Sequence, residues 1–273
     1  MTMYRRFMRI LPKKAFLTKR RKFILVSLVL SVGLLLIQRL TVEQRYVAIG
    51  LLAVMSYSFT AWALLAEMRG IIPWVNMVLP VMYPTAVALF YFLLPQAAIT
   101  RMIVGIFFAI SMYGLLLTTN IYAVASIRTI QLLRAGRAVG FLLSILTSAL
   151  LYHVIFSFRL GAGITTLAVM GVSYPLFLHG VWSYSLGERL RGEGWYALVG
   201  ALVMAEIAWA ITFWLIDIPL ASVLLAMGMY VILGIFQHNM EGRLFARTLQ
   251  EYLWFAGIVY MVVAGAVLMR WVS

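Results

Sequence analysis

Residues 195–240 read WYALVGALVMAEIAWAITFWLIDIPLASVLLAMGMYVILGIFQHNM, and among these 46 residues Glu206 and Asp217 are the only Asp, Glu, Lys or Arg. A helix rises 1.5 Å per residue, so crossing about 30 Å of hydrocarbon takes about 20 apolar residues. The stretch therefore holds two spans, 195–215 and 219–238, that turn around Asp217. A membrane β-strand would alternate polar and apolar residues over about ten positions. Nothing here alternates, so the spans are helical.

Seven more runs of this kind flank the pair, at 23–38, 46–66, 71–94, 102–127, 138–158, 164–186 and 253–272. The reading is an all-α polytopic transmembrane bundle of nine spans. Residues 23–273 form a single membrane domain behind a basic tail, 1–22. Treating 195–215 and 219–238 as one re-entrant unit would reduce the count to eight and move the C-terminus to the other side. Pro73, Pro80 and Pro84 share the third span, which predicts a kink or a local break there.

Composition agrees with the spans. The chain is 64% hydrophobic and 11% charged, whereas soluble domains are about half apolar and about one-quarter charged. That excludes a water-soluble globular protein and a disordered one. The 22 Lys and Arg against 8 Asp and Glu give a net charge of +14, which in a soluble domain would suggest nucleic acid. With a cytoplasmic N-terminus, 17 of the 22 bases fall on cytoplasmic segments. Only Arg39, Arg45, Arg101, Arg159 and Arg270 fall outside. The excess thus reads as positive-inside bias, placing the N-terminus in the cytoplasm and implying no nucleic-acid partner. No A-x-A-like cleavage site follows the first span, which reads as an uncleaved signal anchor.

Motifs for chemistry are absent. With no cysteine there are no disulfides, thiolate metal sites or thiol nucleophiles. No HExxH, GxSxG or phosphate loop occurs. The three histidines are scattered. The sequence predicts no cofactor, no metal and no catalytic residue.

Glu206 is the one acid within a span; the other seven acids lie in loops or at span ends. An ionisable group at the centre of a membrane helix costs about 2.5–3.5 kcal/mol on insertion scales, so function is its default reading. At 100° per residue, Ala197, Ala201, Ala205, Ala208 and Thr212 share one face, and Glu206 lies nearly opposite with Val199, Leu202, Trp209 and Phe213. If the small face packs on a neighbour and Glu206 avoids lipid, this span is central in the bundle. His153, His179, Asn120 and Tyr152 are further candidates for the same intramembrane polar site, with interhelical hydrogen bonding as the competing role.

The stretch Asn120-Ile121-Tyr122-Ala123-Val124-Ala125-Ser126-Ile127-Arg128-Thr129-Ile130-Gln131-Leu132-Leu133-Arg134-Ala135-Gly136-Arg137-Ala138-Val139-Gly140 resembles a segment of uncharacterised multi-span proteins of small-genome, candidate-phylum bacteria. The resemblance implies a bacterial inner membrane and carries no activity. Within it Arg128, Gln131, Arg134 and Arg137 recur every third residue, a basic face suited to anionic lipid headgroups. Gly136 and Gly140 form a GxxxG that marks helix packing.

Three functions remain open at this point. The first is transport of a small solute or ion, with Glu206 as the coupling group. The second is a non-catalytic scaffold or assembly partner, and the third an enzyme acting on a lipid-linked substrate. A cavity reaching Glu206 favours the first and a solid core the second. A groove converging on Glu43 or Asp217 favours the third.

Overall fold

The computed structural model describes residues 18–272, apart from 38, 65–72, 96, 128–129, 188, 215 and 243–244. The tail through residue 17, Arg128 and the loop charges Glu67, Arg69, Glu188 and Arg243 lie outside the described residues. Among the described residues the secondary structure is helical: α1 Lys19–Ile37, α2 Val42–Leu64, α3 Pro73–Tyr91, α4 Ala98–Ala125, α5 Leu133–Ser157, α6 Ala162–Ser185, α7 Glu193–Thr212, α8 Ile218–Met240 and α9 Ala246–Val272. Seven of them, α2 to α8, are long and apolar enough to cross a membrane. α1 carries Lys19, Arg20, Arg21 and Lys22 in its first turn, and the side chains of α9 are described only through Gly265.

α3, α5, α6 and α8 form the centre. α5 packs on α3, α4, α6 and α8, while α6 packs on α3, α5, α7 and α8. α1 and α2 form a hairpin against the α3–α4 side, and α9 closes on α8. The pair flanking Asp217 folds as two separate helices, each able to span.

The third span does not break. α3 is one continuous helix with Pro80 and Pro84 inside it. A proline at position 84 removes the N–H that would bond the carbonyl of residue 80. Ser56 Oγ of α2 donates to that freed Pro80 oxygen, at 2.6 Å in a buried position. A neighbouring helix thus satisfies the backbone, which is how membrane helices tolerate proline.

Glycines set the closest approaches. A Cβ on Gly136 would fall 2.8 Å from Ile121 Cγ2, and one on Gly140 would strike the Tyr122 hydroxyl. The GxxxG therefore seats α5 on α4. On the other flank, a Cβ on Gly200 would meet the Phe177 ring at 2.9 Å, and Ala197, Ala201, Ala205 and Ala208 are buried beside it. The small face of α7 accordingly lies close on α6.

Two substitutions test these contacts by thermal unfolding in detergent. Ser56→Ala leaves the Pro80 carbonyl unpaired and is expected to cost about 1 kcal/mol. Gly140→Ala is expected to cost about 1–3 kcal/mol by overpacking. Gly114→Ala, where an added Cβ meets nothing within 4 Å, should leave the midpoint unchanged or raise it.

Candidate functional site

The α7 helix has two faces of opposite character. Its packing partners are α6 and α8, and 39% of its membrane window is buried, against 61% for α3. Glu206 is exposed on the face away from the bundle, in the company of Val199, Leu202, Trp209 and Phe213, each at least 44% exposed. The expectation that this helix is central does not hold: α7 flanks the bundle and presents Glu206 outward. The assumption that failed was that the fold itself shields the carboxyl from lipid. α7 also ends at Thr212, so Glu206 sits about 9 Å from that end at 1.5 Å per residue, one turn inside the Trp209–Phe213 ring pair.

The other candidate residues fall into two separate places. Tyr152 and His153 lie towards the C-terminal end of α5. Ser173 donates to Val169 O at 2.6 Å, so the 2.8 Å contact with Tyr152 has the tyrosine hydroxyl as donor. By the same logic Ser222 donates to Pro219 O, and His153 Nδ1–H donates to Ser222 Oγ at 3.3 Å. His153 thereby links α5 to α8, with the Phe90 ring edge-on to it. Both are interhelical bonds.

Asn120 and His179 lie towards the opposite end of the bundle. His179 is buried, with ring centroids of Tyr122 and Trp182 at 6.0 and 6.3 Å. Its Nδ1 and the Asn120 Oδ1 have no hydrogen-bond partner. Nearby in sequence, Asn76 Nδ2 reaches Thr119 O at 3.4 Å. Glu206, the Tyr152–His153 pair and the Asn120–His179 level do not converge.

Of the basic face, Arg128 lies outside the described residues and Arg134 is exposed. Arg137 turns inward. Its Nε and Nη2 donate to Ser183 O and Tyr184 O at 3.4 and 2.9 Å, its Nη1 pairs with Glu241 at 3.1 Å, and its guanidinium lies 4.2 Å over the Tyr184 ring. The carbonyls at a helix C-terminus lack intrahelical partners and carry the negative end of the helix dipole. Arg137 satisfies two of them on α6 and ties the start of α5 to the end of α8. Beside it Gln237 Nε2 donates to Gly180 O at 3.2 Å. The sequence pattern marked Arg137 as basic but carried no sign of Glu241, Tyr184 or Gln237 as its neighbours.

Among the described residues, cavities open at the ends of helices, and Glu206 lines none of those that follow. One of about 610 Å³ takes in Arg134, Arg137, Tyr184, His238, Glu241 and Tyr252. Two smaller ones border the α6–α7 connection around Arg191. At the opposite end, about 580 Å³ is lined by Arg159, Thr165, Thr212, Trp214 and Asp217. That cavity holds a single carboxylate, Asp217, with Arg159 also in its wall. Among the described residues no group of three or more His, Asp or Glu stands close enough to hold a metal.

An all-helical bundle, with seven of the described helices apolar and long enough to cross a membrane, is the class this geometry defines. Residues 73–266 match the family DUF5656, proteins of unknown function, and the chain belongs to that family. The matched region begins with α3 and runs into α9, leaving the α1–α2 hairpin outside it. No curated protein and no solved structure matches the chain.

The Arg137 tie has a direct consequence. Arg137→Gln strands the Ser183 and Tyr184 carbonyls and is expected to cost about 1.5–3 kcal/mol, the range for hydrogen bonds to a charged group. Glu241→Gln removes only a half-exposed ion pair and should cost under about 1 kcal/mol. Unfolding of both variants in the same detergent checks the order.

Proposed function

We propose that the protein is a non-catalytic membrane assembly protein that holds a partner transmembrane helix against the outer face of α7. Nine crossings of a bacterial inner membrane, with a cytoplasmic N-terminus, complete the reading; the basic tail and the one-sided distribution of Lys and Arg support that orientation.

The observation that carries the proposal is the outward Glu206. A carboxyl left in lipid is costly, and intramembrane acids nearly always face protein or water. Transport through Glu206 would need a polar cavity behind it, yet behind it lie the buried Ala201, Met204, Ala205 and Ala208. What covers the carboxyl therefore comes from outside the described helices. The outer face of α4 makes the contrast: Ile99, Met102, Ile103, Ile106, Phe107 and Ile110 are all exposed, as a face that meets only lipid requires. Arg134 is the exposed, described member of the basic face and is open to anionic headgroups.

Photo-crosslinking residues introduced at Leu202 or Trp209 are expected to give protein adducts in native membranes. The same probe at Ile106 should react with lipid alone. Equal behaviour at the two faces would rule the docking role out.

A further inference from the structure

We infer that the cavity between the start of α5, the end of α8 and α9 seats the headgroup of an anionic phospholipid that carries a hydroxyl, with an acyl chain lying in the cleft between α5 and α9. This site is separate from the docking on α7 and does not depend on it.

Position comes first. α5 starts at Leu133 and α8 ends at Met240, and both are long and apolar enough to span. The cavity of about 610 Å³ therefore opens where two spans leave hydrocarbon, at the level of lipid headgroups. Its wall changes character with depth. Arg134, Ala138 and Phe141 line it, and their i, i+4, i+7 spacing sets them on one face of α5. From Arg134 to Phe141 the helix descends about 10 Å, from a guanidinium to an apolar ring. There Phe141 meets Tyr230 at 5.5 Å, and Tyr230 meets the exposed Phe255 at 5.8 Å. α5 and α9 both pack on α8 but scarcely on each other, so a cleft floored by aromatic rings continues outward from the cavity. An amphiphile fills both parts, where a soluble anion would leave the cleft empty.

Charge comes next. Arg137 and Glu241 in the wall neutralise each other, and Arg137 is held by the carbonyls of α6. Arg134 is exposed and has no acidic partner among the described residues, which leaves one base in excess. In the two bordering connections the residues outside the described set, Arg128, Thr129, Arg243 and Leu244, include no acid. A phosphodiester supplies the negative charge that this wall lacks, and guanidinium is suited to its oxygens.

The hydroxyl follows from His238. A carbonyl only accepts, so His238 Nδ1–H donates to Gly234 O at 2.9 Å. Nε2 is left without a partner among the described residues, on a ring that lines the cavity. Beside it stands the Tyr252 ring, with its centroid 5.6 Å away. Gly234 admits that ring, since a Cβ there would fall 2.7 Å from the Tyr252 hydroxyl. A headgroup hydroxyl both donates and accepts, so it pairs with Nε2 whether or not the imidazole is protonated.

Purified full-length protein in detergent is incubated with defined lipids, and bound lipid is counted by native mass spectrometry. Phosphatidylglycerol is expected to be retained about fivefold better than phosphatidylmethanol, which has the same charge and no hydroxyl. His238→Phe should abolish that difference. Arg134→Gln should weaken phosphatidylglycerol binding about tenfold, whereas Arg247→Gln, which removes an exposed base at the start of α9, should leave it unchanged. Ala138→Phe fills the cavity, keeps every charge and should weaken binding as much as Arg134→Gln. Unchanged unfolding midpoints confirm that the variants fold; Arg134 and Arg247 are both exposed. Equal losses from Arg134→Gln and Arg247→Gln would overturn the site in favour of unspecific surface charge. Binding that survives Ala138→Phe would overturn the cavity as its place. Equal retention of the two lipids by the unaltered protein would remove the hydroxyl contact, and equally tight binding of free glycerol phosphate would overturn the amphiphile.

Discussion

Inside hydrocarbon there is no water to take up a backbone group that loses its partner, and the architecture follows from how each such group is satisfied. Pro84 frees a carbonyl in mid-helix, and Ser56 on the adjoining helix pairs it. The carbonyls at the end of α6 are taken by Arg137, reaching across from the start of α5. Buried polar side chains are satisfied in the same way: Gln237 of α8 donates to Gly180 O on α6, and Ser31 of α1 to Gly105 O on α4 at 3.0 Å. Each bond joins two helices, so the same requirement that keeps a single helix intact also orders the bundle. Small residues complete the mechanism. Apolar association gains little when the alternative contact is a lipid tail, so helices hold together by close packing, and Gly136, Gly140 and Gly200 are where backbones come closest.

The helices were legible in the sequence because the signal for a span is additive. Twenty apolar residues bounded by arginines read the same whatever their neighbours, and all nine expected runs overlap described helices. The continuity of α3 was not legible, since it depends on Ser56, a residue of another helix that nothing in local sequence ties to Pro84. The boundary after α7 shifted for a related reason. Phe213 and Trp214 are apolar enough to extend a span, yet they leave the helix to turn towards Pro219, which opens α8.

The candidate site divided in an instructive way. Periodicity correctly grouped Ala197, Ala201, Ala205 and Ala208 and set Glu206 opposite them, because both follow from 100° per residue. It did not give the number of helices that surround α7. The step from an ionisable residue to a central helix assumed a complete set of neighbours within one chain, and α7 has neighbours on one side. The histidines show the same limit. His153 is a cross-link to Ser222 and His179 a packed ring beside Tyr122 and Trp182. Which of these roles a lone histidine takes depends on residues more than fifty positions away or on another helix.

A helix that is small and buried on one side and bulky with a carboxyl on the other meets two different demands. The small side needs only closeness, and α6 supplies it. The bulky side differs from the outer face of α4, where every large exposed residue from Ile99 to Ile110 is apolar. It cannot be a remnant of the hairpin interface either, since α1 and α2 bind the α3–α4 side. α7 also belongs to the part of the chain that matches the family, whereas the hairpin does not. The exposed carboxyl of Glu206 thus belongs to the family-matched helices themselves.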